Sequence, residues 1–291
     1  MTQGTAVLAP AKINLALHVT GRRADGYHLL ETLVVFSAFG DAVTVEAAKA
    51  DAFTIGGAHG AGLPADASNL VIAARDRLRA AHPAETTTPV AIHLDKRLPV
   101  ASGVGGGSSD AAAALKALAD IWGLDAGSET IAGIGASLGA DVPMCLHGRP
   151  LVARGIGHDL EPLGAWPAFD MVLVNPGVAV ATPAVFGRLD RRDNPPLPPL
   201  PDRPDRDAAL AFLSAARNDL EVPALALAPQ IGEALGALRA TGAGFARMSG
   251  SGATCFGIFE DADAAQAAAA RIRADQPGWF VQATRTTGAG R

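Results

Sequence analysis

The segment Gly103-Val104-Gly105-Gly106-Gly107-Ser108-Ser109 carries the strongest chemical signal in the chain. It lies between an apolar run that reads as a strand and an alanine-rich run that reads as a helix. Glycines let backbone N–H groups come close to an anion and take positive φ. A helix start adds unpaired N–H donors and a partial positive charge. Ser108 and Ser109 could cap that start and offer hydroxyls to phosphate oxygens. Together these features describe a cradle for a polyphosphate. The P-loop pattern needs a Lys directly after the last glycine, which is missing here. The dinucleotide fingerprint fits poorly too: Gly103-x-Gly105-x-x-Ser108 has Ser in the sixth place, and another helix follows about twenty residues on. A flexible turn before a well-capped helix is the non-functional account of the same residues.

Met248-Ser249-Gly250-Ser251-Gly252, directly before a strand, offers a second concave run of N–H groups. Alone it reads as a tight turn. Two Gly/Ser bends far apart in sequence make a shared anion site more credible than either bend alone. Two lone charges complete the set. Lys12 stands between Pro10-Ala11 and the apolar Ile13–Leu17, and Asp141 stands in Gly139-Ala140-Asp141-Val142-Pro143. A charge in such surroundings must pair, face a cavity or bear a desolvation cost. A mutual ion pair and an acid–base couple at an active site both remain open.

The elements that must position these residues read as α+β. The chain has 291 residues, 49% apolar and 18% charged, with a net charge of -5. That suits a folded core and argues against general nucleic-acid binding, which needs a basic face. The N-terminus lacks a secretory pattern, and no run reaches the ~18 apolar residues of a membrane span, so a cytoplasmic protein is expected. Cys145 and Cys255 sit in apolar runs without CxxC spacing and read as buried free thiols.

Strands are expected around residues 13–17, at 29–38 and 41–47 joined by Phe39-Gly40, and at 90–94, 151–154, 169–174, 253–259 and 279–284. Residues 51–67 read as a weak hairpin. Helices are expected at 69–81 with Asn69 as the start, 109–122, 128–138, 208–216, 219–227, 229–240 and 261–272. The proline- and charge-rich 190–207 reads as an exposed loop open to motion, and the tail 285–291 as frayed. Two domains are expected, 1–162 and 163–291.

Pro10-Ala11-Lys12-Ile13-Asn14-Leu15, Leu98 to Ser109 and Met248 to Gly252, in that order, resemble the three motifs of the GHMP kinases. Asp25-Gly26-Tyr27-His28, Gly139 to Pro143 and Thr182 to Phe186 narrow the resemblance to a branch acting on a cytidine-diphosphate-linked sugar alcohol. It covers nearly the whole chain, from about Ala9 to Phe259. The resemblance implies a two-domain fold, an N-terminal ATP domain with a left-handed βαβ unit and a ferredoxin-like C-terminal domain. It implies transfer of the γ-phosphate of ATP to the 2-hydroxyl of a cytidyl methylerythritol, a step toward isoprenoid precursors.

By matching position, Asp141 would take the hydroxyl proton, with Lys12 keeping it ionised and offsetting charge on the phosphoryl group. Pro99, Val100, Ala101, Ser102 and Gly103 to Ser109 would wrap the phosphates, with Ser249, Gly250, Ser251 and Gly252 as a second phosphate-side loop. Asn69 and Lys96 match positions near the nucleoside of ATP, where a helix cap and a solvated lysine are the plain alternatives. Tyr27 and Phe186 would sandwich the cytosine, His28 would read its edge, and Asn14 and Thr182 would lie near the methylerythritol and diphosphate. Mg²⁺ would be held mainly by phosphates and water. The partner implied is a small molecule, with no nucleic acid and no membrane, on a monomer or homodimer. Ala101-Ser102 departs from the family's usual glycines, and Asp110 places a negative charge close to the phosphates. Rival readings are a GHMP kinase for homoserine, mevalonate or a sugar, and a non-catalytic binding module on the same fold.

Overall fold

A computed structural model describes residues 4–289. The chain forms two compact units, each assembled from separated segments. The first holds the residues up to Ala11, Phe39–Val100 and Gly105–Gly148; the second holds Lys12–Ala38, Ala101–Val104 and the residues from Arg149 onward. Strands β1 (Thr5–Arg22) and β2 (His28–Ala47) pair with one another, and each contributes to both units. Where two strands were expected, β2 runs unbroken through Phe39-Gly40. A Cβ at Gly40 would lie 2.0 Å from the carbonyl oxygen of Ala9, so this glycine serves a close backbone approach instead of a turn.

In the first unit, Ala42–Ala47 of β2 pair antiparallel with β4 (Val90–Asp95), and β3 (Ala52–Gly56) pairs parallel with β4. The expected hairpin at 51–67 is therefore a parallel edge strand followed by turns. Gly57, at φ +85°, folds that turn against Lys96, whose N–H donates to the Gly56 carbonyl at 2.9 Å. Helices α1 (Leu70–Ala81), α2 (Gly106–Trp122), α3 (Glu129–Leu138) and α4 (Val142–His147) complete the unit. Asn69 caps α1 and Ser128 caps α3. Helix α2 buries Ala111 to Ala114, and these small side chains let α1 and α4 pack against it.

In the second unit, Leu30–Val34 of β2 pair with β5 (Leu151–Gly155), and β5 with β6 (Asp159–Pro162). A separate antiparallel sheet has the order β10-β7-β9-β8: Phe280–Arg285, Asp170–Asn175, Cys255–Phe259 and Phe245–Met248. Helices α5 (Thr182–Gly187), α6 (Arg206–Ala215), α7 (Glu221–Leu227), α8 (Gln230–Ala240) and α9 (Ala262–Asp275) complete it. One core joins Val172 and Val174 of β7 to Ile231, Leu235 and Leu238 of α8 and to Ala265, Ala269 and Ile272 of α9.

Two loop expectations change. The proline-rich segment is a tethered strap. The Asn194 N–H donates to the Val19 carbonyl at 3.0 Å, and the Leu197 N–H donates to Glu31 Oε2 at 3.0 Å. Its Pro195 carbonyl accepts from the Arg217 guanidinium at 3.1 Å and faces buried His18 Nδ1 at 3.0 Å. His18 Nε2 accepts from the Arg217 N–H, which leaves the ring proton on Nδ1. The tail is packed through Ala289. The Thr286 N–H donates to the Phe169 carbonyl at 2.9 Å and the Thr287 N–H to the Phe36 carbonyl at 2.7 Å, and Ala289 bridges Trp166. The rest of the tail lies outside the described residues. Cys145 and Cys255 are buried and form no disulfide among the described residues, as expected.

Candidate active site

Both Gly/Ser bends meet strand β1 within the second unit. The Asn14 N–H donates to Ser249 Oγ at 3.0 Å, and Ser249 Oγ donates onward to the Gly103 carbonyl at 3.1 Å. The Lys12 N–H donates to the Val104 carbonyl at 2.9 Å, and the Thr254 N–H to the Ser102 carbonyl at 3.0 Å. Gly103 has φ +77°, and a Cβ there would stand 2.7 Å from the carbonyl oxygens of Ser249 and Gly252. Glycine is thus required twice over at this contact, for its φ and for its lack of a side chain. Ala101 takes φ 51° without being a glycine, so strain enters this turn where the family more often has glycine. Val100 is exposed and Pro99 half-buried beside it.

The first unit holds the glycines that open α2. Gly105, at φ +63°, is the N-cap of α2, which starts at Gly106, earlier than the expected Ser109. Gly105 has no side chain to cap the helix, so the N–H groups of its first turn keep their helix-start character. Ser108 and Ser109 lie inside that turn instead of capping it. Ser109 Oγ, buried, donates to the Pro10 carbonyl at 2.7 Å and clips α2 to β1.

Lys96 is the buried centre of an ion network, not a solvated lysine. Its Nζ bonds Asp110 Oδ2 at 2.7 Å and also Asp41 Oδ2. Asp41 accepts two further bonds, from the N–H groups of Arg97 and Leu98. Asp110 bonds Lys96, and its Oδ1 is buried without a hydrogen-bond partner among the described residues. Burial works against the charge of Lys96, but the two carboxylates outweigh it and hold its pKa above the usual value. Burial pushes the Asp110 carboxyl up to about 8, and Lys96 offsets only part of that. The Asn69 side chain accepts from the Val71 N–H and donates to the Pro64 carbonyl, which makes it a helix cap. Asp141 is half-buried at the start of α4 and makes no side-chain capping bond to that helix. Lys12 is buried on β1.

The residues matched to the second nucleotide also gather in the second unit. His28 stacks on Phe186 of α5, with ring centroids 4.7 Å apart and planes 24° from parallel. Burial, then the charges of Arg22 and Arg192, keep the His28 pKa below its usual value, and its Nε2 is buried without a partner. Tyr27 projects into solvent, 63% exposed, with its N–H on Asp25 Oδ1. Thr182, which opens α5, shares a hydrogen bond with Ser251 at 2.8 Å. Asn14, also buried, donates its amide to Thr32 Oγ1 at 2.7 Å and leaves Oδ1 without a partner.

Three supporting residues gave no sequence signal. Asn218 Nδ2 donates to the carbonyls of Met248 at 2.8 Å and Gly250 at 2.9 Å, which sets the second bend. Glu221 Oε2 accepts the Met248 N–H at 2.9 Å. The Arg247 guanidinium, its pKa pulled down to about 10 by burial, donates to the carbonyls of Leu15, Leu213 and Ala216.

Residues 69–149 match the GHMP kinases N terminal domain, and residues 205–277 match the GHMP kinases C terminal domain. A 4-diphosphocytidyl-2-C-methyl-D-erythritol kinase of Mesorhizobium japonicum is 58% identical over 96% of this chain and 94% of its own. One from Brucella melitensis is 57% identical over 94% of this chain and 92% of its own. A crystal structure of 4-(cytidine 5'-diphospho)-2C-methyl-D-erythritol kinase superposes with TM-score 0.81 at 37% identity, covering 98% of this chain and 100% of that one. A homoserine kinase from Cytophaga hutchinsonii shares the fold, with TM-score 0.69 at 18% identity over 100% of this chain and 96% of its own. The chain belongs to the GHMP kinases, in the group of 4-diphosphocytidyl-2-C-methyl-D-erythritol kinases.

Proposed function

We propose that this protein transfers the γ-phosphoryl group of ATP to the 2-hydroxyl of 4-diphosphocytidyl-2-C-methyl-D-erythritol. The observation that carries the reading is the meeting of both Gly/Ser bends with Asn14, in the unit that also holds the His28–Phe186 stack. Phosphoryl transfer needs positioning and charge stabilisation more than covalent chemistry. Gly103 to Ser109 and Ser249 to Gly252 supply N–H groups for phosphate oxygens, helped by the start of α2. Asp141 takes the proton of the 2-hydroxyl as its oxygen attacks phosphorus. Lys12 offsets the charge that builds on the phosphoryl group.

Asn69 lies toward the nucleoside of ATP. Lys96 acts from beneath the cradle, since its ammonium is committed to Asp41 and Asp110. The carboxylate next to the phosphate bend, Asp110, is buried against Lys96, which fits a Mg²⁺ ion carried by the phosphates and water. His28 reads the edge of the cytosine. One face of Phe186 carries His28, so a base held with Tyr27 uses the other face. Asn14 Oδ1 and Thr182 serve the alcohol and diphosphate. The domain division proposed from sequence, with ATP held by the N-terminal part, follows this assignment of roles. The protein acts on a small molecule in the cytoplasm.

A coupled ADP-release assay tests the reading. Turnover is expected with the cytidyl methylerythritol and not with mevalonate, homoserine or galactose at equal concentration. Preference for any of the other three would overturn it.

A further inference from the structure

The second unit holds two guanidinium groups that no mechanistic role has used. Arg192 sits on the proline-rich strap, and its Nε is buried with no hydrogen-bond partner. The strap fixes its place, because Asn194, two residues on, is bonded to Val19 of β1. Arg22 ends β1, and its Nε donates to the Gly26 carbonyl at 3.2 Å, closing the turn that leads to His28. Their sequence neighbours are paired: Arg23 with Asp25 at 2.8 Å and Arg191 with Asp193 at 3.1 Å. Among the described residues, neither Arg22 nor Arg192 has such a carboxylate. Both cations nonetheless act on the His28 ring, whose own Nε2 is open and whose face rests on Phe186.

Two guanidiniums with no carboxylate partner, beside the His28 imidazole on an aromatic shelf, raise the question of what balances them. Guanidinium is the group best matched to phosphate oxygens, through paired N–H donors. A flat base on the shelf would bring such oxygens with it if it carried a diphosphate. We propose that Arg22 and Arg192 grip the diphosphate of the cytidyl substrate, and that the proline-rich strap exists to deliver Arg192 to it. The assignment rests on the cytidyl reading of the His28–Phe186 pocket. It makes the pair a selector for nucleoside diphosphate esters over nucleosides.

The test measures binding of cytidine, CMP and CDP by calorimetry with a non-hydrolysable ATP analogue present at saturation. Native protein is compared with Arg192→Gln, Arg22→Gln and Arg192→Lys, whose ligand-free melting temperatures report intact folding. In the native protein, affinity should climb at least 10-fold from cytidine to CDP. Either Gln substitution should remove most of that gain while cytidine affinity stays within twofold, and Arg192→Lys should keep part of it. Added salt should weaken CDP binding more in the native protein than in the Gln variants. Equal losses for cytidine and CDP, or no loss for CDP, would overturn the diphosphate assignment alone. A native protein that binds none of the three would instead overturn the cytidyl reading beneath it.

Discussion

In the first unit, Asp41, Lys96 and Asp110 are buried together in one ion network. In the second, Asn14, His28 and Arg192 each keep one buried polar atom without a partner. An unsatisfied buried polar group costs about 1–3 kcal/mol. Such atoms occur in both units, Arg79 Nε, His82 Nε2 and Asp110 Oδ1 in the first among them; those of Asn14, His28 and Arg192 are set apart by belonging to residues assigned to the proposed substrate, which would satisfy them. The first arrangement supports the cradle, and the second waits for something to complete it. Substitutions in the first should therefore register as lost stability, and substitutions in the second as lost binding.

The largest expected departure from that division is Asp141. It lies in the first unit but should behave as a functional residue. Asp141→Asn should lower kcat by about 10³-fold, within the range for loss of a general base. ATP affinity by calorimetry should stay within twofold; a parallel loss would make the residue structural.

Next comes Lys96→Met, which removes the cation shared by the buried Asp41 and Asp110 side chains. Urea titration should show a stability loss of about 3–5 kcal/mol. The double change Lys96→Met with Asp110→Leu should recover more than half of it, because Asp41 keeps its two backbone donors. No recovery would mean that the network is not the source of the loss.

His28→Ala probes the second unit. KM for the cytidyl substrate should rise about 10-fold or more, the scale of losing one stacked, hydrogen-bonded contact. KM for ATP and the melting temperature should barely move. A large fall in melting temperature would remove the contrast between the two units.

The smallest effect is a pH dependence. The folded state holds the Asp110 proton up to about pH 8, whereas the unfolded chain releases it near the ordinary carboxylate value of 3.8. The stability contributed by that proton is complete below the unfolded value, declines as pH rises, and is gone above about 8. Native stability should therefore fall relative to Asp110→Asn between pH 4 and pH 8. A difference that stays flat across that range would show Asp110 ionised throughout.

The bends were legible in sequence because Gly and Ser at these densities have few other uses. Regular elements of ten or more residues, such as α2 and α9, were legible from periodicity, and α1 also from its cap Asn69. The short α4, α5, β6 and β8 were not, because four to six residues carry too little periodicity to declare themselves. Gly40 looked like a turn because a close strand approach and a turn select the same residue. Asn218, Glu221 and Arg247 bond to main-chain atoms that no motif marks. Ser109 was expected at the phosphates because its type suits them, but its hydroxyl is taken by Pro10. The interleaving of the two units, with β1 and β2 contributing to both, leaves no composition shift to read. The strap's tethers depend on partners more than 150 residues away in sequence.

The central claim is that the open atoms around His28 await a cytosine ring, and the melting temperature of the ATP-free protein with CDP or UDP tests it most directly. CDP should raise the melting temperature of the native protein more than UDP does, and His28→Ala should erase the difference. Equal shifts with both nucleotides, or a preference for CDP that survives in His28→Ala, would contradict the account.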